Sequence, residues 1–296
     1  MKYCPLVVIV GPTASGKSEL GLKLASSFNG AIVSADSWLV RRGLDIGTSK
    51  PTTYDRSKID HYLIDIVDAD QDFSAAAYKP LAIKAIETIK SKQQIPFLVG
   101  GSGLYIDSVL YDYGFSPLGE LNIRDRLNEM SLTQLQEMAT KQGLDLSQID
   151  HRNKRRVIRL IETNGFIPTK HQLRENTLII GLSVEAERLN SLITARTNRM
   201  IEKGLIQEVE TLYRRYGWEC EGLKGIGYQE WKLYFEANQS LDTTKDRIIK
   251  DSLALAKRQK TWFKRNKSIH WLNTPVNYAE AEDLITTFLN KNISLS

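Results

Sequence analysis

Cysteine, histidine and long apolar runs are all scarce in this chain. Its 296 residues include two cysteines, Cys4 and Cys220, and four scattered histidines. Two cysteines without metal-ligand or redox spacing exclude a disulfide framework and offer no zinc-binding pattern, and a reducing cytoplasm is the compartment that fits. No stretch is long and apolar enough to span a bilayer. The apolar run after Lys2 stops at Gly11-Pro12, too soon for the hydrophobic segment of a signal peptide. Internal repeats and low-complexity tracts are also missing. What remains is an ordinary globular composition, 42% hydrophobic and 25% charged, enough for one large core with a smaller satellite. The net charge of +5 permits a polyanionic partner, but an excess of that size more often serves solubility, so its placement matters more than its sum.

Up to about residue 110, short β-branched runs alternate with longer amphipathic ones, the pattern of a parallel sheet flanked by helices. Buried strands are expected at 6–10, 31–34 and 96–99, with a third extended run at 63–67 and helices at 19–28 and 75–92. The strand at 96–99 ends in Gly100-Gly101-Ser102-Gly103, a turn opening a helix at Leu104. Residues 115–177 are more polar and basic, with helical spacing over 124–137 and 155–163, and read as an inserted helical lobe. A strand at 178–182 resumes the core, and helices follow through Tyr216 and over 243–264. The expected fold is therefore an α/β phosphate-loop domain formed by 1–114 and 178–296, interrupted by a helical domain at 115–177.

Gly11-Pro12-Thr13-Ala14-Ser15-Gly16-Lys17-Ser18 is a complete Walker A pattern lying between an expected strand and an expected helix. Glycines let successive backbone N–H groups turn toward one anion, the helix N-terminus adds its positive dipole end, Lys17 neutralises phosphate oxygens and Ser18 can ligate Mg²⁺. Most such loops hold a nucleotide for phosphoryl transfer. Here the strand at 96–99 ends in glycines rather than in the metal-holding acid of a nucleotide hydrolase, which argues against a motor-type ATPase and leaves small-molecule kinases open.

Asp36 follows the strand at 31–34, which sets its carboxylate at the C-terminal edge of the sheet; it could act there, or simply cap the next turn with Ser37. Arg196 shares a helical stripe with Leu192 and Met200, so its guanidinium needs an anion, supplied either by a ligand diphosphate or by an internal carboxylate. Lys154, Arg155, Arg156 and Arg159 form one face of a helix whose other face is Val157, Leu160 and Ile161. Lys257, Arg258, Lys260, Lys264 and Arg265 alternate with Trp262 and Phe263, which suits an RNA whose bases stack while its phosphates are neutralised. Charge runs are usually solvated faces; two of them beside a phosphate loop carry more weight.

Together these residues give the chain an end-to-end resemblance to the tRNA dimethylallyltransferases, also called tRNA isopentenyltransferases. The carrying blocks are the phosphate loop, Ser-Ala-Asp-Ser at 34–37, Arg-Gly-Leu-Asp-Ile-Gly-Thr-Ser-Lys-Pro at 42–51, His-Tyr-Leu-Ile-Asp-Ile at 61–66, Gly-Gly-Ser-Gly-Leu-Tyr at 100–105, Arg-Arg-Val-Ile-Arg at 155–159, Gly-Ile-Gly-Tyr-Gln-Glu at 225–230 and Ala-Lys-Arg-Gln-Lys-Thr-Trp-Phe at 256–263.

The resemblance implies transfer of a dimethylallyl group from its diphosphate to N6 of the tRNA adenosine on the 3′ side of the anticodon. It implies Asp36 as the base, and Lys17, Thr13, Ser102, Arg196 and Mg²⁺ on Ser18 as stabilisers of the leaving diphosphate. The target base would be turned out of the anticodon stack, with the lobe clamping the anticodon stem. RNA contacts would come from Asp36, Ser37, Trp38 and Leu39, from Ser102 and Arg124, and from Arg155, Arg156, Val157, Ile158 and Arg159. Further contacts would come from Gly225, Ile226, Gly227, Tyr228, Gln229 and Glu230, and from Lys257, Arg258, Gln259, Lys260, Thr261, Trp262, Phe263 and Lys264. Departures from the family pattern are Arg41 for a tyrosine, Tyr62 for a histidine, Ser102 for a threonine and Leu253 for a basic residue; none removes the base, the loop lysine or the metal hydroxyl. The zinc finger of eukaryotic relatives is missing, as in the bacterial type, and a monomer without membrane attachment is the default expectation. Two rivals stay open: a nucleoside or metabolite kinase, and a non-catalytic RNA-binding protein switched by a nucleotide.

Overall fold

A computed structural model of the chain describes residues 4–115 and 121–293. Lys2, and residues 116–120 of the expected lobe, lie outside the described residues. The chain divides into two compact units, Met1–Leu110 with Leu173–Ser296, and Tyr111–Gln172.

The first unit begins with β1 (Leu6–Val10), α1 (Lys17–Ser27), β2 (Gly30–Ser34), α2 (Thr53–Lys58), β3 (His61–Tyr62), α3 (Ala75–Ser91), β4 (Ile95–Gly100) and α4 (Gly103–Leu110). The second unit holds α5 (Leu121–Glu129), α6 (Leu132–Lys141) and α7 (Lys154–Glu162). The first then resumes with β5 (Thr177–Ser183), α8 (Ala186–Glu202), α9 (Leu205–Tyr216), α10 (Lys232–Glu236), α11 (Leu241–Phe263), β6 (Ile269–Asn273) and α12 (Tyr278–Ile293).

The six strands form one parallel sheet in the order β3-β2-β4-β1-β5-β6. β1 and β2 are buried at every position, which is why they read as continuous apolar runs without alternation. Val7, Ile9, Phe97 and Ile180 of the sheet pack with Leu20 and Leu24 of α1 and with Ala281 and Ile285 of α12. Each large apolar side chain buried in this way contributes about 1.5–3 kcal/mol. A second core gathers Leu44, Leu205, Val209, Leu212, Tyr228, Trp231 and Ile248, and ties α9 and α11 to the segment after β2. Because all strands are parallel, Val10, Ser34, Gly100 and Ser183 end along one edge, where a doubly wound sheet places its ligand.

Three local expectations need correction. The extended run at 63–67 is replaced by the two-residue β3, because Leu63 and Asp65 take left-handed φ values of 63° and 58°. Those turns bring the Asp65 carboxylate to Lys50 and to Arg56. The single helix at 124–137 is two: Ser131 adopts an extended conformation and caps α6, its Oγ accepting from the Gln134 amide while Gln134 Oε1 accepts from the Ser131 amide. Finally, β6 and α12 complete the sheet and its core; β6 is exposed at three of its five positions, so it lacks the apolar signature of the central strands.

In the second unit, Leu127, Leu135, Ala139, Val157, Ile158 and Ile161 form a core of their own. No helix among the described residues is long and apolar enough to cross a membrane. Cys4 and Cys220 are free thiols.

Candidate active site

The phosphate loop runs from the end of β1 into α1. Ala14 and Gly16 have positive φ of 62° and 85°, and Gly16 leaves the start of α1 without a side-chain cap, so the first amides of that helix keep their hydrogen-bonding capacity for an anion. Gly11 is required by packing: a Cβ there would lie 2.8 Å from Ser15 Oγ and 3.1 Å from Leu182 Cβ. The Ser15 hydroxyl is buried and has no hydrogen-bond partner, a polar atom held ready in the loop's interior.

This loop forms one wall of a cleft of about 820 Å³ that is also lined by Asp36, Trp38, Leu39, the segment from Asp45 to Thr53, and residues of α8 and α11. Lys17 Nζ donates to the Pro12 carbonyl at 3.1 Å. Burial lowers its pKa to about 8, against the opposing pull of Asp36, and Arg196 nearby lowers it further. Lys17 and Arg196 thus bring two cations to the same part of the cleft. Arg196 projects from α8 toward the same loop: one terminal nitrogen donates to Thr13 Oγ1 at 2.6 Å, Nε donates to Ser49 Oγ at 3.1 Å, and the other terminal nitrogen donates to the Thr48 carbonyl at 3.3 Å. None of these acceptors is charged, so among the described residues the guanidinium forms no internal salt bridge and its charge is not neutralised.

Asp36 lines the cleft just beyond β2, and its Oδ1 accepts from the Trp38 amide at 2.9 Å. One carboxylate oxygen thus caps the turn, as one sequence reading expected, and the residue also lines the cleft. The Ser102 hydroxyl accepts from the Ser37 amide at 3.0 Å and reaches Ser37 Oγ at 3.3 Å, linking the turn after β4 to the one after β2. The glycines around Ser102 are explained by close approach. A Cβ on Gly100 would meet the Ala35 carbonyl oxygen at 2.1 Å, one on Gly101 the Gln259 side chain at 2.4 Å, and one on Gly103 the Trp262 ring at 2.5 Å.

The basic-aromatic run in α11 therefore has two faces. Lys257, Arg258, Lys260, Thr261 and Lys264 are exposed, whereas Phe263 is buried and Gln259 and Trp262 turn toward the glycine turn. In the segment 225–230, Ile226 and Gly227 line the cleft and Gly225 lies under the Trp38 indole. Tyr228 and Glu230 are buried, at 1% and 2% exposure, with their polar atoms engaged internally: the phenol by Glu208, the carboxylate by the Gly227 amide and by Gln229. Burial raises the Glu230 pKa to about 7. In the second unit, Arg155 and Arg156 are exposed while Val157 and Ile158 lie in its core. Arg124 and Arg159 both approach Glu162, at 3.4 and 3.6 Å. Arg41 is buried, donates to the carbonyls of Ala69 and Gln71, and stacks 5.7 Å from the Trp38 ring. Its place in the fold is beneath the cleft wall.

Sequence reasoning assigned no role to the segment 45–50, to Arg199 of α8 and Lys203 just after it, both lining the cleft, or to Glu208. The segment was visible only as part of a family block, and Glu208 sits in an ordinary amphipathic helix. Their relevance comes from contacts between distant parts of the chain.

Ser18, in the first turn of α1, lines the cleft, and its hydroxyl is a hard oxygen ligand of the kind that suits Mg²⁺. No group of three or more His, Cys, Asp or Glu side chains that could cage a metal occurs among the described residues.

A parallel sheet whose first strand feeds a phosphate loop, with cations and a carboxylate facing that loop across one cleft, defines a phosphate-loop α/β protein. The family model for IPP transferases matches residues 39–266. The tRNA dimethylallyltransferase of Pelotomaculum thermopropionicum is 39% identical over 293 residues, covering 94% of this chain and 93% of that one. Among solved structures, the tRNA isopentenylpyrophosphate transferase of Bacillus halodurans is 34% identical with a TM-score of 0.77, covering 98% of each chain. That of Staphylococcus epidermidis is 34% identical with a TM-score of 0.73, covering 98% of this chain and 100% of the other. The chain belongs to the IPP transferase family, the tRNA dimethylallyltransferases.

Proposed function

We propose that the chain transfers a dimethylallyl group from dimethylallyl diphosphate to N6 of the adenosine next to the anticodon in tRNA, on its 3′ side. The observation that carries this reading is the convergence of Lys17 and Arg196 on the phosphate loop, with the Asp36 carboxylate in the same cleft and only glycines and Ser102 at the end of β4. Such a site can hold a diphosphate as a leaving group and accept a proton from a nucleophile.

The loop amides, Lys17 and Arg196 bind the diphosphate and stabilise the charge that grows on it as the allylic C–O bond breaks. Ser18 would hold Mg²⁺, which when bound would supply additional neutralisation of that charge. The adenine amino group is a weak nucleophile because its lone pair is delocalised into the ring. Asp36 takes the N6 proton as the C–N bond forms and later returns it to solvent, while the Trp38 amide keeps the carboxylate oriented. The products are pyrophosphate and N6-dimethylallyladenosine in the tRNA. Exposed Arg155 and Arg156, and the exposed cations of α11, supply phosphate contacts that orient the RNA without reading its sequence.

The test is incubation of the protein with dimethylallyl diphosphate, Mg²⁺ and unmodified tRNA, followed by nucleoside analysis. A prenylated adenosine in the anticodon loop is expected. ATP turnover without prenylation would overturn the reading in favour of a kinase.

A further inference from the structure

Glu208, on α9, lies behind the cleft wall and accepts four hydrogen bonds. Its Oε2 accepts from the amides of Asp45 and Ile46 at 3.0 and 2.7 Å; its Oε1 accepts from the amide of Gly47 at 3.0 Å and from the Tyr228 phenol at 2.7 Å. Three consecutive backbone amides pointing at one carboxylate form an anion nest filled by the protein's own side chain. Gly47 is what lets the Tyr228 ring close the arrangement, since a Cβ there would come within 2.5 Å of the ring.

The two residues after this nest are the ones that hold Arg196. Thr48 offers its carbonyl and Ser49 its hydroxyl, and the third contact of the guanidinium is Thr13 in the phosphate loop. On its far side the same segment is anchored by Lys50, which donates to the Arg41 carbonyl and to Asp45 and Asp65. A carboxylate placed directly on Arg196 would fix the guanidinium but also neutralise it. Separated from Arg196 by a turn of backbone, Glu208 can fix it and leave its charge to the ligand.

We infer that Glu208 is a positioning residue for diphosphate binding: by clamping the amides of residues 45–47 it sets the backbone that aims Arg196 at the phosphate loop. The inference rests on the reading of this cleft as a diphosphate site.

The test is a double-mutant cycle read by calorimetric binding of inorganic pyrophosphate in the presence of Mg²⁺. Glu208→Gln turns one acceptor into a donor that faces N–H groups, and should weaken pyrophosphate binding on the order of tenfold. In an Arg196→Ala background the same change should produce less than about a twofold further loss, because the residue through which it acts is gone. Tyr228→Phe removes one of the four donors and leaves the backbone clamp, so it gives a milder weakening that likewise disappears without Arg196, and it serves if Glu208→Gln does not fold. Unchanged affinity in a folded Glu208→Gln protein, or losses that multiply fully across the cycle, would overturn the assignment. A wild-type protein that fails to prenylate tRNA, yet shows this coupling toward pyrophosphate, would remove the function proposed above and leave the role of Glu208 standing.

Discussion

The backbone amide of Thr13 donates to Gln259 Oε1 at 2.8 Å, joining the phosphate loop to a helix 246 residues later in the chain. The Gln259 amide nitrogen continues the link by donating to the Gly101 carbonyl at 3.0 Å. One side chain thus ties together the turns that follow β1 and β4, and its carboxamide suits the task because it can accept on one side while donating on the other.

Gln259→Glu should be more damaging than Gln259→Ala. Alanine loses two hydrogen bonds, about 2 kcal/mol in all, whereas glutamate sets a negative charge against the Gly101 carbonyl and beside the anion site. A thermal melt should show alanine lowering Tm by roughly 5 °C. Pyrophosphate titration should show the glutamate variant binding worse than the alanine variant; the reverse order would contradict the bridging role.

Asp36→Asn isolates the carboxylate's chemistry from its structural contact, since the amide oxygen can still accept from the Trp38 amide. Single-turnover prenylation should fall on the order of a hundredfold or more, with pyrophosphate affinity and Tm close to wild type. A variant retaining most of its turnover would show that another group takes the proton.

The affinity for pyrophosphate should depend on pH through Lys17. Its pKa in the free protein is lowered to about 8 by burial, and a bound anion favours the ammonium form. Below pH 8 the lysine is already charged and adds little pH dependence. Above it, binding must take up a proton, so affinity falls by up to about tenfold per pH unit. Calorimetry at pH 9 in buffers of different ionisation enthalpy measures that uptake. Lys17→Arg, whose guanidinium stays charged, should lose it; an equal uptake in the variant would place the titration elsewhere.

In the second unit, Arg156 is exposed, with no side-chain partner among the described residues. Arg156→Ala should weaken tRNA binding and reduce the slope of log K against log salt by about 0.7–0.9, the value of one phosphate contact, while pyrophosphate binding is unaffected. An unchanged slope would remove Arg156 from the RNA-binding face.

Glu230 gives a stability prediction. Its folded pKa is raised to about 7 by burial, above its unfolded value, so the folded state binds more protons between the two. The contribution is fully present below the unfolded pKa and is lost as pH rises through 7. Chemical denaturation should show stability falling over that window. Glu230→Gln keeps an oxygen for the Gly227 amide and cannot ionise, and should flatten the decline.

The run 257–264 shows how far sequence could go. Its cations and aromatics together suggested an RNA-facing surface, whereas helical geometry sends Lys257, Arg258, Lys260, Thr261 and Lys264 outward and turns Gln259, Trp262 and Phe263 inward. The same holds for Arg196, recognisable from its stripe as a guanidinium in need of an anion, although nothing local said that its acceptors would be Thr13, Thr48 and Ser49. Glu208 carried no signal, since one carboxylate in an amphipathic helix resembles any other until the fold sets three amides around it.

What the sequence by itself determined was local: the phosphate loop, whose glycine spacing dictates backbone conformation; the buried parallel strands, whose apolar runs suit no exposed setting; and the placement of Asp36 at the end of one of them. What only the tertiary structure decided was which distant groups share a cleft and which are used up inside the core. Backbone preferences act over a few residues. Whether a guanidinium ends against a carboxylate or against a hydroxyl depends on how the whole chain packs.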